Sequence, residues 1–313
     1  MTDVVTFGES MARFTTPRRG PMRHAGSLDV GIAGAESNLA IGLARLGVAA
    51  SWFGRVGDDE FGRLITQVLR AEGVDTRAIV DSEAPTGLLF KERRAAWLNR
   101  VTYYRDGSAG SRLNISDLDL DLIANASLLH LTGITAALSE TARETCWGAV
   151  AAARAAGTTV SLDLNVRRQL WQAGEAVPVL TKLVQQADLV FATVDEARLM
   201  TDGVTELDLA RGLAALGPEQ VILKRGKAGA LALVGREQFE APIFQVQEVD
   251  PVGAGDAFAA GYLSEVLRGG DIPERLAAGA RCGAFAVSVD GDWEGLPSSA
   301  ELPALGSHDD VHR

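Results

Sequence analysis

A chain of 313 residues, 47% hydrophobic and 23% charged, can bury a sizeable core and has the composition of an ordinary soluble globular protein. Its net charge of −11 argues against nucleic acid and anionic membrane as partners, and obliges any anionic ligand to meet local basic groups. Cys146 and Cys282 lie in apolar, helix-like surroundings and read as buried thiols in a reducing cytosol, not as a disulfide or a nucleophile. No basic-then-apolar leader precedes the first strand and no apolar run reaches about 18 residues, so a cytoplasmic protein is expected. The four histidines are too scattered for a metal cluster.

In chain order, Val4 to Phe7 reads as a buried strand ending at Gly8-Glu9-Ser10. An irregular basic segment follows (Arg18, Arg19, Arg23), then alternates at Leu28, Val30 and Ile32. Gly31 to Gly47, with Leu39, Ile41, Leu43 and Leu46 among alanines, has the pattern of a helix packed closely on a sheet. Val48 to Phe53 is a second strand, and Glu60 to Ala71 a helix. Leu88 to Glu92 and Val101 to Arg105 are strand-like runs joined by RRAAWLN, as in a hairpin. Segments 15–32 and 85–106 together suggest a small β-sheet lid inserted beside the main sheet. Strands follow at 127–133, 158–165, 188–192, 220–226 and 230–234, with a helix from Ser139 to Ala156 and another from Asp195. A last helix runs from Pro273 to Val289, and residues after about 303 read as a frayed tail. Continuous apolar strands alternating with helices predict one α/β domain over 1–313, a doubly wound, mostly parallel sheet flanked by helices.

The stretch that organises the chain is Asp250 to Leu263, DPVGAGDAFAAGYL. Pro251 stops any earlier helix, and the small residues Gly253, Ala254 and Gly255 precede an Ala/Phe/Tyr/Leu helical pattern. Such a start leaves bare N–H groups and the positive end of the helix dipole facing outward, an anion hole for a phosphate. Asp256 puts a carboxylate in the first turn, where it can accept the proton of a hydroxyl attacking phosphorus. Asp256 is equally readable as a capping charge, and the glycines as an ordinary αβ turn. Phe258 stands where a dinucleotide fingerprint needs its third glycine, and no GxxxxGK[ST] occurs, so a Rossmann site and a P-loop are both excluded.

In an open α/β sheet, ligands bind beyond the carboxyl ends of the strands. Those ends carry Asn165, Arg167 and Arg168; Thr193 and Glu196; Lys224, Arg225 and Lys227 with Gly226 and Gly229; and, after Val249, the GAGD turn. Each charge alone reads as a solvated surface group. Their repetition in an acidic chain favours an anion-binding crevice.

The stretch DPVGAGDAFAAGY resembles the C-terminal signature of the ribokinase-like (PfkB) carbohydrate kinases, and GAESNLAIGLARLG with FGRVGDDEFG resembles their N-terminal signature. The resemblance covers the chain to about residue 297. VTYYRDGSAGSRL (101–113) and SLDLNVRRQLW (161–171) are similar to 2-keto-3-deoxygluconate kinases within that family. It implies an enzyme using ATP and Mg2+, with Asp256 as catalytic base. The sugar-acid contacts it implies are Gly34, Asn38, Leu89, Tyr103, Tyr104, Arg105, Arg167, Asp256 and Asp292. The implied nucleotide contacts are Asn165, Arg167, Thr193, Lys224, the run Arg225 to Ala230 with Gly226 and Gly229, and Gly253 to Gly255. Glu196 would act on the metal through water. A homo-oligomer formed through the lid is expected. Arg105 and Arg167 fit a substrate carboxylate, since guanidinium forks bind carboxylates in bidentate fashion. The chain departs from the family pattern at Thr193-Val-Asp-Glu196, where the family often has Asn-x-x-Glu. It departs again at Leu88-Leu89-Phe90, where related kinases often carry a tyrosine. A fructokinase, a ribokinase, a kinase of the galactonate epimer and a non-catalytic sugar-binding regulator are the competing readings. A dehydrogenase is more distant, for want of a complete GxGxxG near the first strand.

Overall fold

A computed structural model describes residues 2–95 and 97–305. The strands are β1 (Val4–Phe7), β2 (Met11–Thr15), β3 (Asp29–Ala33), β4 (Ala50–Gly57), β5 (Asp75–Asp81), β6 (Leu88–Ala95), β7 (Leu98–Tyr104), β8 (Leu128–Thr132), β9 (Thr159–Asp163), β10 (Leu189–Thr193), β11 (Gln220–Lys224), β12 (Ala230–Val234) and β13 (Glu237–Glu240). The helices are α1 (Ala35–Arg45), α2 (Glu60–Ala71), α3 (Leu120–Ala124), α4 (Gly133–Leu138), α5 (Glu140–Ala156), α6 (Ala176–Val184), α7 (Val194–Met200), α8 (Glu206–Ala214), α9 (Ala254–Arg268) and α10 (Ile272–Val287).

The main sheet has nine strands in the order β13-β12-β11-β10-β9-β8-β1-β4-β5. The chain lays down β1, then β4 and β5 to one side, then β8 to β11 to the other, so a topological switch point lies between β1 and β8. Its strands are apolar on both faces because both are covered. Leu39, Ile41 and Leu43 of α1, Ile65 and Leu69 of α2, and residues of α9 and α10 fill one side, while α5, α6 and α8 fill the other. Gly42 lets α1 lie against α9, since a Cβ there would stand 2.8 Å from that of Ala260.

A second sheet, β3-β2-β6-β7, sits beside the first. Its β6–β7 hairpin is antiparallel, with Leu89 opposite Tyr103 and Lys91 opposite Val101. Alternation puts Met11, Ala33, Leu89 and Val101 together in a small apolar cluster on one face.

The structure corrects several sequence expectations. β2 is a full strand within the segment read as a strand end followed by irregular chain, and it pairs with β3 and β6 across long separations. β5 and β13 were missed; both are edge strands rich in charged residues, without a continuous apolar run. Ala230–Val234 runs antiparallel to β11. No strand precedes the GAGD turn among the described residues: the N–H groups of Val249 and Asp250 donate to Val287 O at the end of α10, not to a neighbouring strand. Of the expected tail, Leu302–Ala304 forms a 3-10 turn, and residues 306–313 lie outside the described residues.

Candidate active site

A cavity of about 460 Å³ opens at the carboxyl ends of β1, β9, β10 and β11, between the main sheet and the small one. Its floor is the start of α9. Gly253 is the N-cap, with φ of +77°, and a Cβ there would come within 1.9 Å of Asp292 O, so no other residue fits. Among the described residues, the N–H groups of Gly253, Gly255 and Asp256 have no protein acceptor, whereas Ala254 N–H is turned back onto Pro251 O at 3.4 Å. The bare end of α9 is therefore offered by Gly253 and Gly255, which line the cavity; Ala254 does not.

Lys224, at the end of β11, lies over this helix start, with Nζ 3.2 Å from where a Cβ of Gly255 would be. Its ammonium pairs with the buried Asp163 at the end of β9. Burial pulls its pKa down, but the Asp163, Glu196 and Asp256 carboxylates outweigh burial and hold it above the ordinary lysine range. A fixed cation and a helix N-terminus thus converge on one point, the arrangement that favours a phosphate.

Asp256 stands beside them in the first turn of α9. Asn38 Nδ2 of α1 donates to its Oδ2 at 2.9 Å, and Asn165 Nδ2 approaches its Oδ1 at 3.5 Å. Burial is the main cause that pushes its pKa up to about 7; the Asn38 hydrogen bond opposes this, the charge of Asp163 adds to it, and Lys224 and Arg167 offset part of it. A carboxylate poised there is suited to accept a proton near neutrality. Asn165 is the sole described non-glycine residue in the left-handed region, with φ of +35°, a conformation kept where surroundings impose it. Asn38 lines the cavity, and its Oδ1 is buried without a partner.

The roof is the small sheet: Met11, Leu89, Lys91, Val101, Tyr103 and Arg105 line the cavity from that side. Leu89 contributes no hydroxyl. Arg105 does not present its whole fork to a ligand, because Nε donates to Glu9 Oε2 at 2.7 Å, Nη2 pairs with the same oxygen, and Ser108 Oγ donates to Glu9 Oε1. Its guanidinium also stands 5.5 Å from the Tyr103 ring. Arg167, exposed and lining the same cavity, has no carboxylate partner among the described residues. Asp292 lines the far wall, pushed above the usual carboxylate range by burial against the pull of Lys91 and Arg13.

The structure gathers Gly34, Asn38, Leu89, Tyr103, Arg105, Asn165, Arg167, Thr193, Glu196, Lys224, Gly226, Gly253, Gly255, Asp256 and Asp292 in one cavity. It leaves out Tyr104, which alternation puts on the opposite, exposed face against Phe90. It also leaves out Arg225 and Gly229. Arg225 folds away from the cavity onto Glu206, Glu240 and Ala230 O. Glu196 takes the N–H groups of Val166 and Thr193, each at 2.7 Å, in a capping box, so its first task is to join α7 to the loop after β9. No cluster of three metal-type ligands exists among the described residues. Glu9, Lys91 and Asp163 were missed. Glu9 stands two residues beyond the end of β1, among the strand-end positions where ligands bind.

An open sheet with a bare helix N-terminus, a lysine and a near-neutral carboxylate gathered at the carboxyl ends of its strands defines a protein built to hold a phosphate beside a proton acceptor. Residues 1–299 match the pfkB family carbohydrate kinase model, and the chain belongs to that family. It is 38% identical to the 2-dehydro-3-deoxygluconokinase of Bacillus subtilis (strain 168), over 99% of this chain and 98% of that protein. It is 37% identical to a 2-dehydro-3-deoxygalactonokinase of Haloferax volcanii, over 93% and 92%. Its fold matches the crystal structure of a putative ribokinase II from E. coli in complex with ATP and Mg2+, with a TM-score of 0.91, 27% identity, and 97% and 99% of the two chains covered. No described helix is long and apolar enough to cross a membrane.

Proposed function

We propose that this carbohydrate kinase transfers the γ-phosphoryl group of ATP to the terminal hydroxyl of a sugar acid, 2-keto-3-deoxygluconate, giving its 6-phosphate. The carrying observation is the unpaired guanidinium of Arg167 in the cavity of a protein of net charge −11. A substrate carboxylate gives that fork a partner, whereas a neutral sugar gives it none. The names of the two curated relatives, kinases of epimeric keto-deoxy acids, support the same class.

The sugar acid lies under the small sheet with its terminal hydroxyl at Asp256. The hydroxyl oxygen forms its bond to the γ-phosphorus as its proton passes to the Asp256 carboxylate, and the bond to the bridging oxygen breaks to leave ADP. Negative charge on the transferred group meets the N–H groups of Gly253 and Gly255 and the Lys224 ammonium. The triphosphate lies along the strand ends at Asn165, Thr193, Lys224 and Gly226. Bound Mg2+ would neutralise triphosphate charge, and Glu196, each of whose oxygens keeps a lone pair, would hold water beside it.

The outer face of the small sheet supports the expected homo-oligomer: Phe14, Phe90 and Tyr104 form an aromatic row there, with Val30 exposed beside it. Free, buried Cys146 and Cys282 fit a reducing cytoplasm. The test of substrate class is a coupled ADP-release assay over a panel of sugars and sugar acids. The keto-deoxy acid should give the highest kcat/KM. Fructose or ribose outperforming it would sink the sugar-acid reading and leave only the kinase.

A further inference from the structure

Beneath the roof of the cavity lies a buried charge network that the reaction as described does not use. Lys91, in β6, is 1% exposed, and its ammonium pairs with Asp250 and lies 3.5 Å from Asp292 Oδ1. Arg13, in β2, donates to the same Asp292 oxygen at 3.0 Å and pairs with Glu294. Both cations belong to the small sheet. Both carboxylates met by Lys91 belong to loops that frame the start of α9. Asp250 precedes the Pro251-Val252-Gly253 turn and takes Val252 N–H on Oδ1 at 3.3 Å and Gly291 N–H on Oδ2 at 3.3 Å. Asp292 presses its carbonyl against Gly253.

We propose that Lys91 is a positioning residue for phosphoryl transfer: its ammonium, carried on the small sheet, sets the separation of the Asp250 and Asp292 loops and so aims the N–H groups of Gly253 and Gly255. The proposal rests on the reading of α9 as the phosphoryl site. A buried ion pair is a poor way to gain stability, because desolvation cancels most of the attraction, and an apolar pair of equal volume does as well. What the ammonium offers instead is a short, directional link from one strand to two loops at once. An oxyanion hole depends on where its donors point, and small displacements of them are costly in rate. The same link ties the roof over the sugar to the floor under the phosphate, so a ligand that moves the roof acts on the hole.

The test compares Lys91→Met with Lys91→Met/Asp250→Asn, in which no carboxylate of that pair is left buried and unpaired. Lys91→Met should lower kcat at least tenfold, with KM for ATP and for the sugar acid within threefold of wild type, and should speed amide exchange at residues 250–257 without ligands. The double variant should recover the melting temperature but not kcat. Ethylammonium added to Lys91→Ala should restore part of kcat. The inference is overturned by any of three results: kcat within twofold of wild type in Lys91→Met, a double variant whose kcat recovers with its stability, or a loss confined to KM for the sugar acid. A double variant that fails to fold overturns it as well, because the link would then be structural. Amide exchange separates this inference from the kinase reading. Unchanged exchange at 250–257 refutes the role of Lys91 whatever the substrate, whereas inactivity of the wild type on every sugar acid refutes the substrate assignment alone.

Discussion

At the α9 end of the cavity the groups offered to a ligand are main-chain N–H groups and one lysine, all within reach of a single contiguous turn. At the small-sheet end they are side chains drawn from four separate stretches and largely engaged with one another: Arg105 with Glu9, Lys91 with Asp250, Asp292 with Arg13. The first end is fixed by backbone and suits a group that every substrate shares. The second is held by buried ion pairs, and under the proposed function its free valences are the groups that discriminate among sugars. Arg105 and Arg167 show the difference within one pocket: Arg105 is largely spent on Glu9, whereas Arg167 waits unpaired.

Breaking the phosphoryl end should give the largest effect. Asp256→Asn should leave ATP and sugar-acid binding nearly intact while kcat falls about 10²–10⁴-fold, the usual worth of a general base; turnover within tenfold of wild type removes Asp256 from the chemistry. The wild-type kcat/KM should fall as pH drops below about 7, because the carboxylate then takes up the proton it must leave free. Stability should run the other way. A carboxyl raised above its unfolded value of about 4 supports the fold fully below that pH, and the support is lost as pH rises through about 7. Asp256→Asn should therefore melt above wild type at pH 8, and the gap should close toward pH 4. A variant that melts lower at pH 8 would show that the carboxylate is not strained there.

Next in size is the open half of the sugar end. Truncating one partner of a desolvated, charge-assisted pair costs about 2–5 kcal/mol. Arg167 is exposed before a ligand arrives, so Arg167→Ala should sit low in that range, raising KM for the sugar acid about thirty- to a hundredfold. Neutral sugars should be poor substrates for the wild type and lose little more in the variant. An equal loss for fructose and for the sugar acid would mean that Arg167 serves ATP instead.

Arg105→Ala should break the comparison differently. It leaves Glu9 buried without its cation, a loss of about 3–5 kcal/mol for pairs of this kind, so thermal melting should record it first. KM for the sugar acid should move less than in Arg167→Ala. A larger KM change at Arg105, with melting intact, would show that the substrate displaces Glu9.

The two ends also differ in how far the sequence discloses them. The α9 start is local: Pro251, the small residues and Asp256 are neighbours, and a helix N-terminus needs nothing else to define it. The parallel sheet was legible for a similar reason, since its strands are continuous apolar runs. The roof was not, because its pairs join residues 96, 159 and 279 positions apart, and each member alone reads as surface charge. Arg225 failed from the opposite direction: it follows β11 as the strand-end rule asks, yet Glu206 and Glu240 draw it aside. Tyr104 and Tyr103 differ by one residue and so by one face of a strand, which period-two alternation decides only once the cavity side is known. The left-handed backbone of Asn165 leaves no mark in the sequence, since asparagine is common in turns of every kind.

The smallest expected effect concerns motion of the roof. The small sheet can exclude water by closing on a bound sugar acid, which would limit idle hydrolysis of ATP. The ion pairs restrict how it can close. Lys91 and Arg13 anchor the middle of β6 and β2 to the loops at 250 and 292–294, so those strands have little freedom there. The loop at 16–28 makes no ion pair among the described residues, and β7 reaches the 250 loop through a long contact of Asn99 Nδ2, 3.5 Å from Asp250 Oδ1; Tyr103 and Tyr104 are exposed, and β7 is the edge of its sheet. Sugar acid should therefore slow amide exchange in 16–28 and 98–104 by a modest factor, and leave the amides near Arg13 and Lys91 almost unchanged. Uniform slowing across all four strands would describe a sheet that moves as a rigid flap, with the buried pairs breaking as it opens. No slowing anywhere in it would mean a fixed roof, and the sugar end would then select its substrate by shape and charge alone.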